Sequence, residues 1–320
     1  MNLYLRQSYS LLTRSLLLAA VFVAAHSSYA APQSQQNAST PRSELQSRAE
    51  QGDPVAQYKL AQSYLHHDPA NEGYESALKW LRASAAQHNS EAEFLLGYLY
   101  EHGKGVPRDY SKAAENYRAA ALQGHSTAEN NLASLHQHGQ GVPKNLSTAF
   151  QWYLASAQQG NPVGQCNLAT LYYLGSGIPR DYAKAAAWFR AAADSGSAEA
   201  QNSLAAFYYQ GLGVALDYTE AARWVRLAAE SGLPTAETNL AYLYEQGKGL
   251  PLNYVAAYTW YSRALAAGDA SGADRRNQLR HLMTRKQIDE ASSLLASFSS
   301  QPQQQPSPPA AGTFSLLQDH

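Results

Sequence analysis

Glycine recurs in this chain at a fixed interval, and a long exact period constrains the fold more than any local motif does. Glycine pairs stand at Gly103/Gly105, Gly139/Gly141, Gly175/Gly177, Gly211/Gly213 and Gly247/Gly249, each pair 36 residues after the last. A second glycine column, Gly124, Gly160, Gly196, Gly232 and Gly268, keeps the same period, with Gly52 in register and His88 in the place of a further glycine. Leu60, Leu96, Leu132, Leu168, Leu204 and Leu240 form an apolar column; Tyr64, Tyr100, Tyr172, Tyr208 and Tyr244 form an aromatic one that His136 interrupts. Six units therefore run from about Gly52 to Gly268 without an insertion.

Each unit holds two helical segments. The first opens at pairs such as Asp53-Pro54 and Asn161-Pro162, where a side chain accepts an orphan N–H and proline sits where no N–H is needed. Ala92, Leu96 and Tyr100 with their equivalents then lie on one helical stripe that must face a core. The second segment opens at Asp109, Asn145, Asp181, Asp217 or Asn253 and is rich in alanine, with Trp152, Trp188, Trp224 and Trp260 in one column. It closes at the second glycine column, where a left-handed residue ends a last turn. Two such helices cannot bury their apolar faces alone, so neighbouring units must stack as an all-α solenoid.

The run AEFLLGYLYEHGKGVPRDYSKAA, residues 92–114, resembles a Sel-1-like repeat of the tetratricopeptide superfamily, and its columns recur together over most of the chain. The resemblance implies a right-handed alpha-alpha superhelix of six 36-residue helix-turn-helix repeats over residues 49–269, acting as a non-catalytic binding scaffold. In related solenoids the first helix of each unit lines the concave side and extended peptides lie along it. By register, that expectation selects Phe94, Tyr98, Glu101, Asn130, Tyr173, Asn202, Tyr209, Tyr242 and Glu245 as a protein-binding face. These residues combine aromatic area with groups able to hold a peptide backbone or sugar hydroxyls. The first unit departs from the pattern at His67-Asp68-Pro69, as terminal units do.

Residues 270–298 are expected to form a C-terminal capping helix pair, the last helix starting at a capping box of Thr284 and Gln287. Residues 299–320, rich in Ser, Gln and Pro, have the composition of a flexible tail, and residues 31–48 read as a polar lead-in. Residues 1–30 read as an export signal: Arg6 and Arg14 precede an apolar run over residues 16–25, and Ser28 and Ala30 supply the small side chains for cleavage after Ala30. The apolar run is shorter than the ~20 residues that span a bilayer, so no stable membrane insertion is expected after cleavage. A periplasmic or secreted location follows.

The formal charge is −1, and loss of residues 1–30, with two Arg and no acid, takes it to −3. Neither value suits a nucleic-acid partner. Cys166 is the one cysteine and can form no internal disulfide. The Gly-Lys-Gly of LYEQGKGLPLNY, residues 243–254, lacks the Ser or Thr that follows lysine in a phosphate loop, and Ser176 and Leu212 replace the lysine in other units. The glycines are explained by the repeat, and Lys248 reads as the least constrained residue of that bend. Ser76 and Lys79 match S-x-x-K of serine β-lactamases, but no S-D-N or K-T-G accompanies them. His66, His102 and His138 form a column whose spacing across stacked helices, about 8–10 Å, is too wide for one metal. No catalytic residue, cofactor or metal is assigned. The expected function is an adaptor that binds another cell-envelope protein or an extended peptide; the alternative is a cell-wall or polysaccharide-associated scaffold, and a β-lactam-hydrolysing or β-lactam-binding repeat protein ranks third.

Overall fold

The computed structural model describes residues 42–67 and 71–300, and every regular element among them is helical. The chain divides into two compact units at Gly164/Gln165. Residues 42–164 hold α1 (Arg42–Glu50), α2 (Pro54–His67), α3 (Asn71–Ala85), α4 (Ser90–His102), α5 (Tyr110–Leu122), α6 (Ser126–His138), α7 (Leu146–Gln158) and the start of α8 (Pro162–Leu174). Residues 165–300 hold the rest of α8, then α9 (Tyr182–Asp194), α10 (Ala198–Gln210), α11 (Tyr218–Glu230), α12 (Pro234–Gln246), α13 (Tyr254–Ala266), α14 (Ala273–Leu282) and α15 (Arg285–Ser300). The export signal, residues 31–41 of the lead-in, Asp68-Pro69 and residues 301–320 of the tail lie outside the described residues.

Within each unit helices pack on their chain neighbours, α2 with α3 and α4 with α5 in one, α10 with α11 and α12 with α13 in the other. This is the all-α solenoid packing expected from the repeat. The leucine column forms its centre, with Leu60, Leu132, Leu168, Leu204 and Leu240 fully buried. At the N-terminal end, Leu45, Ala49 and Gly52 stand 36 residues before Leu81, Ala85 and His88. Helix α1 thus occupies the place of a second helix, a half-unit whose Ala49 packs on Ala56 and Leu60. At the other end α14 and α15 both pack on α13. Thr284 and Gln287 exchange hydrogen bonds across the start of α15: the Thr284 N–H donates to Gln287 Oε1 at 2.9 Å, and the Gln287 N–H donates to Thr284 Oγ1 at 3.3 Å.

The expected caps are present. Asp109, Asn145, Asp181, Asp217 and Asn253 each accept backbone N–H bonds at the start of a second helix. Their own N–H groups return to the aromatic column: Asp217 donates to the Tyr208 carbonyl and Asn253 to that of Tyr244, both at 3.0 Å. The two glycines of a pair differ in what they do. Gly247, at φ +64°, caps α12, and a Cβ there would lie 3.2 Å from Leu252 Cβ. Gly249, at φ +69°, lies against the first residue of the preceding second helix, and a Cβ there would overlap the Tyr218 carbonyl. Gly213 meets the Tyr182 carbonyl in the same way, and Gly141 that of Tyr110.

His88 adopts φ +59°, so the residue that interrupts the glycine column still takes the conformation the column requires. A left-handed L-residue costs roughly 1–2 kcal/mol. The side chain is 87% exposed, and its 3.8 Å approach to Glu93 offsets little of that cost. His88→Gly is expected to raise stability by about 1 kcal/mol, measured by urea denaturation; a loss of stability would show that the His88 side chain supports the fold.

A buried polar column runs beside the leucines: Gln57, Glu93, Glu129, Gln165, Gln201 and Glu237. Gln87 Nε2 donates to Gln57 Oε1 at 3.0 Å, Gln123 to Glu93 at 2.6 Å and Gln159 to Glu129 at 2.8 Å, each tying a first helix to the turn that closes the second helix of its own repeat. Burial raises the carboxyls of Glu93, Glu129 and Glu237 above their ordinary value, against hydrogen bonds and nearby cations that lower it. A carboxyl raised in this way binds its proton more tightly folded than unfolded, so stability falls as pH climbs from the ordinary value through the raised one. Above the raised value the cost of burying the charge is fully present. Gln at position 129 keeps an acceptor for Gln159 and copies Gln57. Glu129→Gln is therefore expected to add about 1 kcal/mol at pH 7 and nothing at pH 3, where Glu129 is protonated. Equal effects at both pH values would exclude charge burial as the cause.

Candidate functional site

The first helices carry all nine residues expected at the binding face, and the structure sorts them by depth. Phe94, Asn130 and Asn202 lie in the packing. Asn202 is 0% exposed and accepts a hydrogen bond from Asn239 Nδ2 at 2.8 Å; Asn130 donates to Asn131 at 3.2 Å. Phe94 stacks on His125 with ring centres 4.6 Å apart. The reason is that a first helix is enclosed on several sides: in α10 every residue from Ala200 through Phe207 is buried, so polar residues one turn from the leucine column have no access to solvent. These three differ from the open placement expected of them.

Tyr98, Glu101, Tyr173, Tyr209 and Glu245 are half-buried, and Tyr242 nearly buried. In residues 42–164, Tyr98 stacks on His102 at 4.1 Å with Lys104 5.9 Å from its ring centre. Its hydroxyl is buried without a hydrogen-bond partner, and burial pushes its pKa up to about 12, helped by Tyr74 and Glu101. Glu101 accepts from the fully buried Tyr117 hydroxyl at 2.5 Å.

In residues 165–300 three of the expected residues come together with others that sequence reasoning passed over. Tyr209 lies 5.1 Å from Tyr218 and 6.4 Å from Tyr242, ring centre to ring centre. Lys248 Nζ donates to the Tyr209 hydroxyl at 2.8 Å and sits 4.8 and 4.9 Å from the Tyr209 and Tyr218 ring centres. Lys248 is thus held by two aromatic faces, and is not the unconstrained residue of its bend. Arg275 Nη1 reaches Glu245 at 3.0 Å while its guanidinium lies 4.8 Å from the Tyr242 ring centre. Burial above all pushes Tyr242 up to about 12. Tyr173 packs separately, 5.7 Å from Tyr182 and 5.6 Å from Phe207. The result is a cluster of tyrosine rings with two cations, Lys248 and Arg275, laid over it.

A pairing rule explains why the column changes character. Where the second helix carries a buried tyrosine, the residue 16 positions earlier accepts its hydroxyl: Tyr117 to Glu101, Tyr153 to Gln137 at 2.9 Å, Tyr261 to Glu245 at 2.8 Å. Where Phe189 or Val225 stands instead, the earlier position is Tyr173 or Tyr209. Freed from accepting a buried hydroxyl, those two positions present aromatic rings. Comparison of the two columns in the sequence could have found this.

The other residues singled out in the sequence sit in local contacts. Lys79 Nζ lies 5.2 Å from the Trp80 ring centre. His102 and His138 bond the carbonyls of Tyr98 and Ser134 within their own helices. No three His, Cys, Asp or Glu side chains gather as a metal-binding set among the described residues. Cys166 is buried, which pushes its thiol up to about 12, the direction that disfavours the nucleophilic thiolate. No described helix is long and apolar enough to cross a membrane.

Comparison with known proteins gives one consistent result. The Sel1 repeat matches six times, at residues 54–89, 90–125, 126–161, 162–197, 198–233 and 234–269. The structure is similar to that of c5321, a protective antigen present in uropathogenic Escherichia coli strains and displaying an SLR fold, with a TM-score of 0.73 and 30% identity over 81% of this chain and 56% of that one. It is also similar to a Sel1 repeat protein from Oxalobacter formigenes, with a TM-score of 0.64 and 29% identity over 75% of this chain and 99% of that one. No curated protein matches the sequence.

Proposed function

Because the chain belongs to the Sel1 repeat family, whose repeats generally serve as protein-interaction modules and are typically non-catalytic, we propose that it is a scaffold in the cell envelope that binds another envelope protein through its first-helix face. The observation that carries this reading is the half-buried Tyr209, set between Tyr218 and Tyr242 with Lys248 bonded to its hydroxyl. Large amphipathic rings held rigid by their neighbours lose little entropy when a partner covers them. The envelope location rests on the sequence of residues 1–30.

The test is site-specific photocrosslinking in intact cells from positions 98, 173 and 209. The expected result is a discrete adduct with one envelope protein from position 209, lost when Tyr242 and Lys248 are replaced by alanine. Adducts confined to the cell-wall fraction would instead support the polysaccharide reading, and no adduct from any position would overturn the proposal. A mature protein still beginning at Met1 would sink the export reading independently.

A further inference from the structure

Cationic residues are spread thinly through this chain, which has 24 Lys and Arg against 25 Asp and Glu. One segment departs from that balance: ADRRNQLRHLMTRK, residues 273–286, has five Arg and Lys against the single Asp274. It forms α14 and the start of α15, beside the tyrosine group described above.

The two are physically continuous. Arg275 faces inward, bonded to Glu245 and lying over Tyr242; Tyr242 neighbours Tyr209; and Tyr209 holds Lys248. Arg276 forms no ion pair: its Nη2 donates to the adjacent Asn277, and its Nε is buried with no partner. Arg280, one turn further along α14, is exposed, as is Lys286, and neither they nor Arg276 has a carboxylate within ion-pair distance among the described residues. Arg285 pairs with Asp289 at 3.2 Å on an exposed surface, a contact that water and salt readily compete for. Most of this charge is therefore not neutralised within the unit.

We propose that this end of residues 165–300 docks a partner segment rich in aspartate and glutamate, its carboxylates on Arg276, Arg280 and Lys248 and its apolar side chains on the half-buried Tyr209 ring. The proposal rests on the scaffold reading and names the chemistry of its partner. Charge complementarity selects the segment. A nucleic acid would require a far more extended basic surface than six cations in a chain of net charge −1. A membrane would require apolar side chains that project; here Tyr209 and Tyr218 are half-buried and Tyr242 nearly buried, and on α14 only Leu282, 67% exposed, stands out. An extended peptide advances ~3.3 Å per residue, so alternate carboxylates can reach cations one helical turn apart.

The experiment is fluorescence anisotropy on the full chain with a fluorescein-labelled 12-residue peptide in which Glu alternates with Leu and Ser, compared with its Gln-for-Glu counterpart. At about 50 mM salt the Glu peptide is expected to bind at least tenfold more tightly, and the preference should fall away near 0.5 M, where screening is short-ranged. Arg276→Gln with Arg280→Gln should lower affinity about tenfold, whereas Lys144→Gln, in the other unit, should not change it. Circular dichroism melting of each variant separates lost binding from lost folding. Equal binding of the two peptides, or tighter binding of an oligonucleotide or of vesicles containing phosphatidylglycerol, would overturn the proposal. If the acidic peptide fails while the position 209 adduct persists in cells, the partner chemistry is wrong and the scaffold reading stands; if the peptide binds but no adduct forms, the reverse holds.

Discussion

Gly249→Ala is expected to destabilise the protein by roughly 3–4 kcal/mol, while Gly247→Ala, two residues away, costs only about 1–2 kcal/mol. Both glycines have positive φ, so both substitutions incur the left-handed penalty of an L-residue. Only Gly249 also abuts backbone. Its added Cβ would overlap the Tyr218 carbonyl at the start of α11, and a carbonyl at a helix terminus cannot swing aside as a side chain can. The loop or α11 must shift, which disturbs the Tyr218 and Tyr209 rings that Lys248 spans. At Gly247 the nearest atom is Leu252 Cβ at 3.2 Å, on an exposed residue that can yield. Urea denaturation of the two variants checks the difference; equal losses would mean that conformation alone requires the second glycine.

The second large effect concerns the polar pairing across each repeat. Phe189 is buried against Phe207, their ring centres 5.3 Å apart, at the position where Tyr153 donates to Gln137 one repeat earlier. Phe189→Tyr places a hydroxyl in the core beside Tyr173 with no acceptor of that kind, and is expected to cost about 2 kcal/mol. Adding Tyr173→Gln rebuilds the Tyr153–Gln137 arrangement and should recover at least half of that loss. In a double-mutant cycle the coupling should favour the pair by about 1 kcal/mol or more; strict additivity would refute the pairing rule.

Most of the fold was legible because its signals are local and recur. N-cap residues, αL glycines and the leucine stripe act within one or two turns, and a single interruption such as His88 is read from its neighbours in the column. Depth across the first helix was harder to read. Periodicity identified the stripe around Leu204 as core, yet Asn202 is enclosed just as fully, because helices press on α10 from more than one direction and a single apolar stripe does not encode the second. The buried glutamines and glutamates escaped notice for the same reason: they look like surface residues until their partners 30 positions later are in view. Lys248 and Arg275 were missed because their roles depend on rings supplied by other repeats.

The second glycines Gly141, Gly213 and Gly249 also bear on how such a chain can change length. Their contact with the preceding second helix joins a loop of set length to a helix start of set position, and an added or lost loop residue would carry the glycine off that carbonyl. Growth or loss by single residues is therefore penalised, whereas gain or loss of a whole 36-residue module leaves every remaining contact of this kind intact. A variant with residues 198–233 duplicated in tandem should fold, and one with a single alanine inserted after Lys248 should not fold stably. The number of modules, and with it the span available to a partner, is the dimension along which this architecture is free to vary.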